Sequence, residues 1–183
     1  MKIVFKNFIF LDDSEAKEIL ELRNQSYIKE NMINSENISL ENHINFINSL
    51  KTLENRKYFA ILEDNKIIGS LNYINNEDLS WGLYFKEDTN PIIKSCATYL
   101  FLDYVFGKFD EDLNSYVKKS NSIALAFNKN FGFKNFKDDE EFIYLKLSKS
   151  DWENQKNSKL LKPIKRYLDK IKFEFKEQEW EKK

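Results

Sequence analysis

The chain has 183 residues, 42% of them hydrophobic and 15% aromatic, enough for one domain with a sizeable core or one domain plus an appendage. Its 29 basic and 30 acidic residues nearly cancel, so composition gives no general reason to expect a nucleic-acid or membrane partner. One cysteine, Cys96, excludes an internal disulfide framework, and no apolar run approaches the roughly 20 residues that span a bilayer. The opening segment turns acidic after about ten residues and has no small-residue cleavage site, so it does not read as a signal peptide, and a cytoplasmic location is expected.

In chain order, "IVFKNFIF" predicts a first strand. "DDSEAKEILELRN" follows as a helix, with Asp12 and Glu15 spaced as a capping box and Ala16, Ile19, Leu20 and Leu22 as its apolar stripe. A short helix around Gln25 to Met32 precedes a longer one in "ISLENHINFINSLK", where Ser39 is the cap and Leu40, Ile44, Phe46, Ile47 and Leu50 line one side. Three strands come next in "KYFAILE", "KIIGSLNYI" and "LSWGLYFK", the first two joined by a tight Asp64-Asn65 turn. A long helix over Lys94–Phe109, a strand "LNSYVKK" and a helix from Ser120 to about Phe131 complete the centre. Gly132 is placed to end that helix, and "EFIYLKLS" is the last strand. The order is mixed α/β, an antiparallel meander followed by crossovers. Two regions are expected, residues 1–150 as the main domain and 151–183 as a charged helical extension.

No nucleophile elbow, Walker loop or dinucleotide fingerprint is present. One histidine and one cysteine cannot make a standard zinc site, so no metal is expected. Nothing around His43 supports a catalytic triad, so direct transfer between two bound substrates fits better than covalent catalysis.

Three segments carry a resemblance: "LRNQSYIKENM"; "LENHINFINSLKTLENRKYFAILEDNKIIGSLNY"; and "WGLYFKEDTNPIIKSCATYLFLDYVF" with "NSIALAFNKNFGF". In these, over roughly Lys6 to Ser148, the chain resembles the GNAT superfamily of N-acetyltransferases. It is similar more narrowly to those that acetylate the 4-amino group of a UDP-linked dideoxy sugar on the way to pseudaminic acid. The resemblance implies a mostly antiparallel, splayed central sheet flanked by helices, with acetyl-CoA as co-substrate and a nucleotide-linked amino sugar as acceptor. It assigns cofactor binding to the backbone of Leu83, Tyr84 and Phe85 and to Ile92, Ile93, Lys94, Ser95 and Asn121. Arg23, Asn24, Met32, His43 and Trp81 fall at acceptor positions, and His43 is the side chain suited to accept the amine's proton, with a base acting through water as the alternative.

Two departures from the family pattern stand out. The customary glycines of the pyrophosphate loop fall at Ile92 and Lys94, and Pro91 removes a further N–H donor, so that loop is either rebuilt or spoiled. Asn128 stands where many members carry a tyrosine that protonates the departing thiolate; an amide can donate a hydrogen bond to sulfur but not a proton. The other readings are a protein N-terminus or small amine as acceptor, and a GNAT-like binding module without catalysis.

The tail from 153 to 183 has ten basic and six acidic residues. Leu160, Ile164, Leu168, Ile171 and Phe175 predict a helical stripe, packed on its own domain or on a sister subunit in a homodimer. An acidic membrane surface is the alternative, opposed by Glu174, Glu177, Glu179 and Glu181.

Overall fold

The computed structural model describes residues 1–177; Glu179 and Glu181 lie outside the described residues. Strand β1 (Lys2–Asn7) leads through a 3-10 turn into helices α1 (Asp13–Arg23), α2 (Ser26–Lys29) and α3 (Leu40–Ser49). Strands β2 (Arg56–Glu63), β3 (Lys66–Asn75) and β4 (Leu79–Phe85) form the meander, followed by α4 (Pro91–Lys108), β5 (Leu113–Lys118) and α5 (Ser122–Asn130). The chain continues through β6 (Lys134–Asp138), β7 (Phe142–Leu147), α6 (Lys149–Gln155), α7 (Lys162–Leu168) and β8 (Lys172–Lys176). The eight strands make one sheet in the order β6-β7-β5-β4-β3-β2-β1-β8.

Local chemistry sets most of these boundaries. The Asp12 side chain accepts from the Glu15 N–H while Glu15 reaches back to the Asp12 N–H, closing the capping box of α1. Asp64 and Asn65 both take positive φ, 45° and 69°, the backbone a two-residue hairpin needs between right-twisted strands. Gly132 at φ 96° ends α5 as expected. Alternation along β2 covers both sheet faces. Phe59 and Ile61 join the core under α4, whereas Ala60 and Leu62 join the one under α1 and α3.

Three elements differ from expectation. Helix α4 begins at Pro91, three residues early, because Asn90 caps it and proline is tolerated in a first turn. β6 was not predicted; "KNFKD" is exposed throughout and has no apolar alternation, and only pairing with β7 makes it a strand. The tail is not one helical stripe. Its Leu160 is 56% exposed, while Phe175 lies in β8, paired parallel to β1 and stacked between Phe5 at 4.1 Å and Tyr104 at 4.3 Å. The free hydrogen-bonding edge of β1 and the alternating "KFEFK" outweigh the helical spacing. Trp152, Leu161 and Ile164 are buried in the α4-side core, so α6 and α7 share it. No helix among the described residues is long and apolar enough to cross a membrane.

The sheet opens between β4 and β5. These two strands are parallel and pair only at Ser80 and Asn114, where the Asn114 side chain also donates to the Leu79 carbonyl at 3.1 Å. Beyond that pin they diverge.

Candidate active site

The divergence leaves one edge of β4 without a strand partner. Leu83, Tyr84 and Phe85 pair with Leu71, Ser70 and Gly69 of β3, and none of the three pairs with β5. A slot edged by free backbone N–H and C=O groups accepts an extended amide-bearing ligand as an added strand would be accepted. Gly69 permits this packing, since a Cβ there would sit 2.4 Å from the Tyr84 carbonyl oxygen.

The head of α4 lies just past the end of β4. Asn90 accepts from the Ile92 N–H through its side chain at 2.9 Å, and its carbonyl accepts from Ile93 and Lys94 at 2.9 and 3.0 Å. Ile93 is fully buried, and the Lys94 ammonium donates to the Glu87 carbonyl. Ser95 follows in the same turn, half-buried. As it stands, this turn does not present the open donors that a diphosphate requires. Asn121 caps α5, its side chain accepting from the Ala124 N–H at 3.0 Å. Asn128 is buried and turned inward: its Nδ2 donates to the Ala124 carbonyl at 2.8 Å, leaving Oδ1 without a partner. The open end of that amide is an acceptor, which cannot stabilise a thiolate.

On the face covered by α1 and α3 the expected residues separate into two groups. Arg23 ends α1 with Nη2 donating to the Asn34 carbonyl at 2.7 Å, while its Nη1 is buried without a partner. Burial lowers the Arg23 pKa, opposed by the nearby Tyr84. Desolvation pushes the Tyr84 hydroxyl up to about 12, against a hydrogen bond with Ser70 and the Arg23 charge. Tyr84 therefore stays a neutral donor at physiological pH. Met32 packs half-buried against the same core. Asn24 is committed elsewhere: its amide donates to the Ile38 carbonyl and accepts from the Ile38 N–H, both at 2.9 Å, tying α1 to the segment entering α3.

His43 is 4% exposed and packs edge-on to Phe8. Burial lowers its pKa, and its Nε2 has no partner. Trp81 faces the other side of the sheet, stacked on Phe133 at 5.1 Å, because three residues along a strand reverse the face relative to Tyr84. Cys96 is buried, and desolvation pushes its thiol up to about 12, which leaves it inert as a nucleophile.

Ser70 and Tyr58 beside Tyr84, and Lys118, whose ammonium crosses from β5 to the Glu30 carbonyl at 2.9 Å, escaped sequence reasoning. Tyr84 was read for its backbone alone; period-two alternation from Trp81 was the available signal for its side chain. Nothing local marks Lys118, which meets Glu30 across 88 residues of chain. Among the described residues no group of His, Cys, Asp and Glu could hold a metal ion.

Comparison with known proteins gives the following. No protein-family model matches the chain. Acetyltransferase PseH of Campylobacter jejuni serotype O:2 is 32% identical over 154 residues, covering 81% of this chain and 95% of that protein. The PseH of serotype O:23/36 is 29% identical over 155 residues, covering 81% and 96%. Among solved structures, C. jejuni N-acetyltransferase PseH in complex with acetyl coenzyme A superposes with a TM-score of 0.64 at 28% identity, over 80% of this chain and 98% of that one. Apo FdhC, a nucleotide-linked sugar GNAT, shares the fold with a TM-score of 0.67 at 22% identity, over 80% and 88%.

Proposed function

The chain belongs to the GNAT N-acetyltransferases, among the relatives of PseH, and takes acetyl-CoA as co-substrate; from that premise we propose that it acetylates the amino group of a nucleotide-linked amino sugar by direct attack. The observation that carries the acceptor assignment is Arg23. A guanidinium fixed through Nη2 to Asn34, with Nη1 buried and unpaired, is a charged donor awaiting an oxygen of a sugar or its diphosphate. Leaving a charged donor buried without a partner is costly, which a ligand oxygen would relieve.

When bound, acetyl-CoA supplies the thioester carbonyl for attack and a thiolate as leaving group. The protein's residues supply the rest. The free edge of Leu83–Phe85 orients the extended donor, and Ser80 and Asn114 close the base of the slot. Tyr84, protonated up to about 12, holds a hydrogen-bond donor beside Arg23. The acceptor amine must shed its proton before it attacks. His43 is buried against Phe8 and α1, so the proton leaves through water and His43 serves chiefly to pack α3.

The test is turnover with acetyl-CoA and three acceptors: a UDP-linked 4-amino-4,6-dideoxy sugar, spermidine, and a peptide with a free N-terminus, read as released thiol. The sugar nucleotide is expected to be the preferred acceptor. Arg23→Ala should lower its kcat/KM about 10–100-fold, the worth of a charged hydrogen bond at roughly 1.5–3 kcal/mol. Faster turnover of spermidine or peptide would overturn the acceptor assignment.

A further inference from the structure

The head of α4 disagrees with what acetyl-CoA requires of it, and one residue causes the disagreement. A helix N-terminus holds a diphosphate through first-turn N–H groups that no carbonyl has claimed. In α4 the first is missing because Pro91 has none. The Ile92 N–H donates to the Asn90 carboxamide oxygen at 2.9 Å. The N–H groups of Ile93 and Lys94 both converge on the Asn90 carbonyl. Asn90 thus accepts from every N–H available between positions 91 and 94. No glycine lies between Gly82 and Gly107 to let a phosphate approach the backbone some other way.

The side chains nearby are committed as well. Lys94 donates to the Glu87 carbonyl, Lys86 pairs with Glu18 at 2.7 Å, and the Thr89 hydroxyl is buried against the Ile68 carbonyl. The turn is also pinned in place, since Ile93 sits in the core at 1% exposure. Of the groups that accept from the turn's N–H donors, only the Asn90 side chain can leave without moving the backbone, by rotation about its own χ1.

We infer that the Asn90 carboxamide occupies the place of a diphosphate oxygen at the head of α4, and that acetyl-CoA binds by displacing it from the Ile92 N–H. A neutral amide satisfies the donor in the absence of ligand; a diphosphate, carrying charge toward the positive end of the helix dipole, replaces it. The cap is thereby a competitor for the cofactor, and its strength is subtracted from cofactor affinity. This concerns the donor end alone and rests on acetyl-CoA as co-substrate, not on which amine is the acceptor.

The test is calorimetric titration of CoA and of acetylpantetheine, which lacks the diphosphate, into the full-length chain and two variants. Glycine is tolerated at this helix position, so Asn90→Gly removes the competitor without unfolding the helix. It should lower the Kd for CoA about two-fold, a few tenths of a kcal/mol at roughly 1.4 kcal/mol per tenfold, and leave acetylpantetheine unchanged. Asn90→Asp keeps the cap but sets a negative charge against the diphosphate, and should raise the Kd for CoA at least about ten-fold, again sparing acetylpantetheine. CoA binding detectable only in Asn90→Gly would support the inference most strongly. It is overturned if Asn90→Gly binds CoA as weakly as or more weakly than the parent chain, if both ligands shift together, or if neither parent nor variant binds CoA.

Discussion

Phe175→Ala tests whether the tail is built into the sheet. Phe175 stacks on Phe5 at 4.1 Å and on Tyr104 at 4.3 Å, with interplanar angles of 8° and 9°, so one ring joins β8 to both β1 and α4. An aromatic pair is worth about 0.5–1.5 kcal/mol beyond the area it buries, and truncating a fully buried Phe costs about 3–5 kcal/mol. Phe175 is half-buried, which places the expected loss at about 2–3 kcal/mol. For a chain of this length about 2–4 °C of Tm follows each kcal/mol, so scanning calorimetry should register a fall of about 5–10 °C. Phe173, two residues earlier on the same face of β8 but 51% exposed, is the control; Phe173→Ala should stay within about 2 °C. A shift below about 2 °C for Phe175→Ala, or equal losses in the two variants, would refute the docking of this strand.

Three further outcomes follow from the site and its supports. His43 is held neutral with a lowered pKa, so below its unfolded value of about 6.5 the unfolded chain takes up a proton that the folded chain refuses. Its contribution is therefore complete above pH 6.5 and lost as pH falls toward the lowered folded value; His43→Gln should flatten that part of the Tm–pH curve, and an unchanged slope would show that His43 is not buried neutral. Asn24→Ala breaks both bonds to Ile38 and should cost about 1–3 kcal/mol in denaturant unfolding, whereas a loss confined to kcat/KM would return Asn24 to the acceptor site. Burial raises the Glu177 carboxyl pKa, but the ammonium groups of Lys57 and Lys108 at 2.5 and 2.9 Å carry it below the usual value. Its stabilisation is present above about pH 4.3 and fades as pH falls through the lowered folded pKa, so Glu177→Gln should destabilise the chain at neutral pH and lose that effect in acid, as followed by Tm.

Much of this was local chemistry and therefore legible in the amino-acid sequence. The capping box at Asp12 and Glu15, the Ser39 cap, the Asp64-Asn65 hairpin and the Gly132 stop each depend on a few adjacent residues, and all form. The order of strands and helices followed largely from such signals taken together; the family followed from the resemblance carried by the three quoted segments. The missing glycines at Ile92 and Lys94 were equally visible; that Asn90 fills their place was not, because an Asn before a Pro reads only as an ordinary cap. Tertiary structure decided whatever depends on which surface a residue meets. Asn24, Trp81 and His43 have the right identity in the right order, yet Asn24 is consumed by Ile38 and Trp81 faces the other side of the sheet. His43 is sealed against Phe8. Conversely, the tail carried a helical spacing that the free edge of β1 overrode, since backbone pairing and a doubly stacked Phe175 outweigh the propensity of a five-residue segment. Short-range hydrogen bonds can be read from neighbours in the chain. The face a side chain occupies, and whether its polar atoms are still free, depend on segments that can lie more than a hundred residues away, as β8 does from β1.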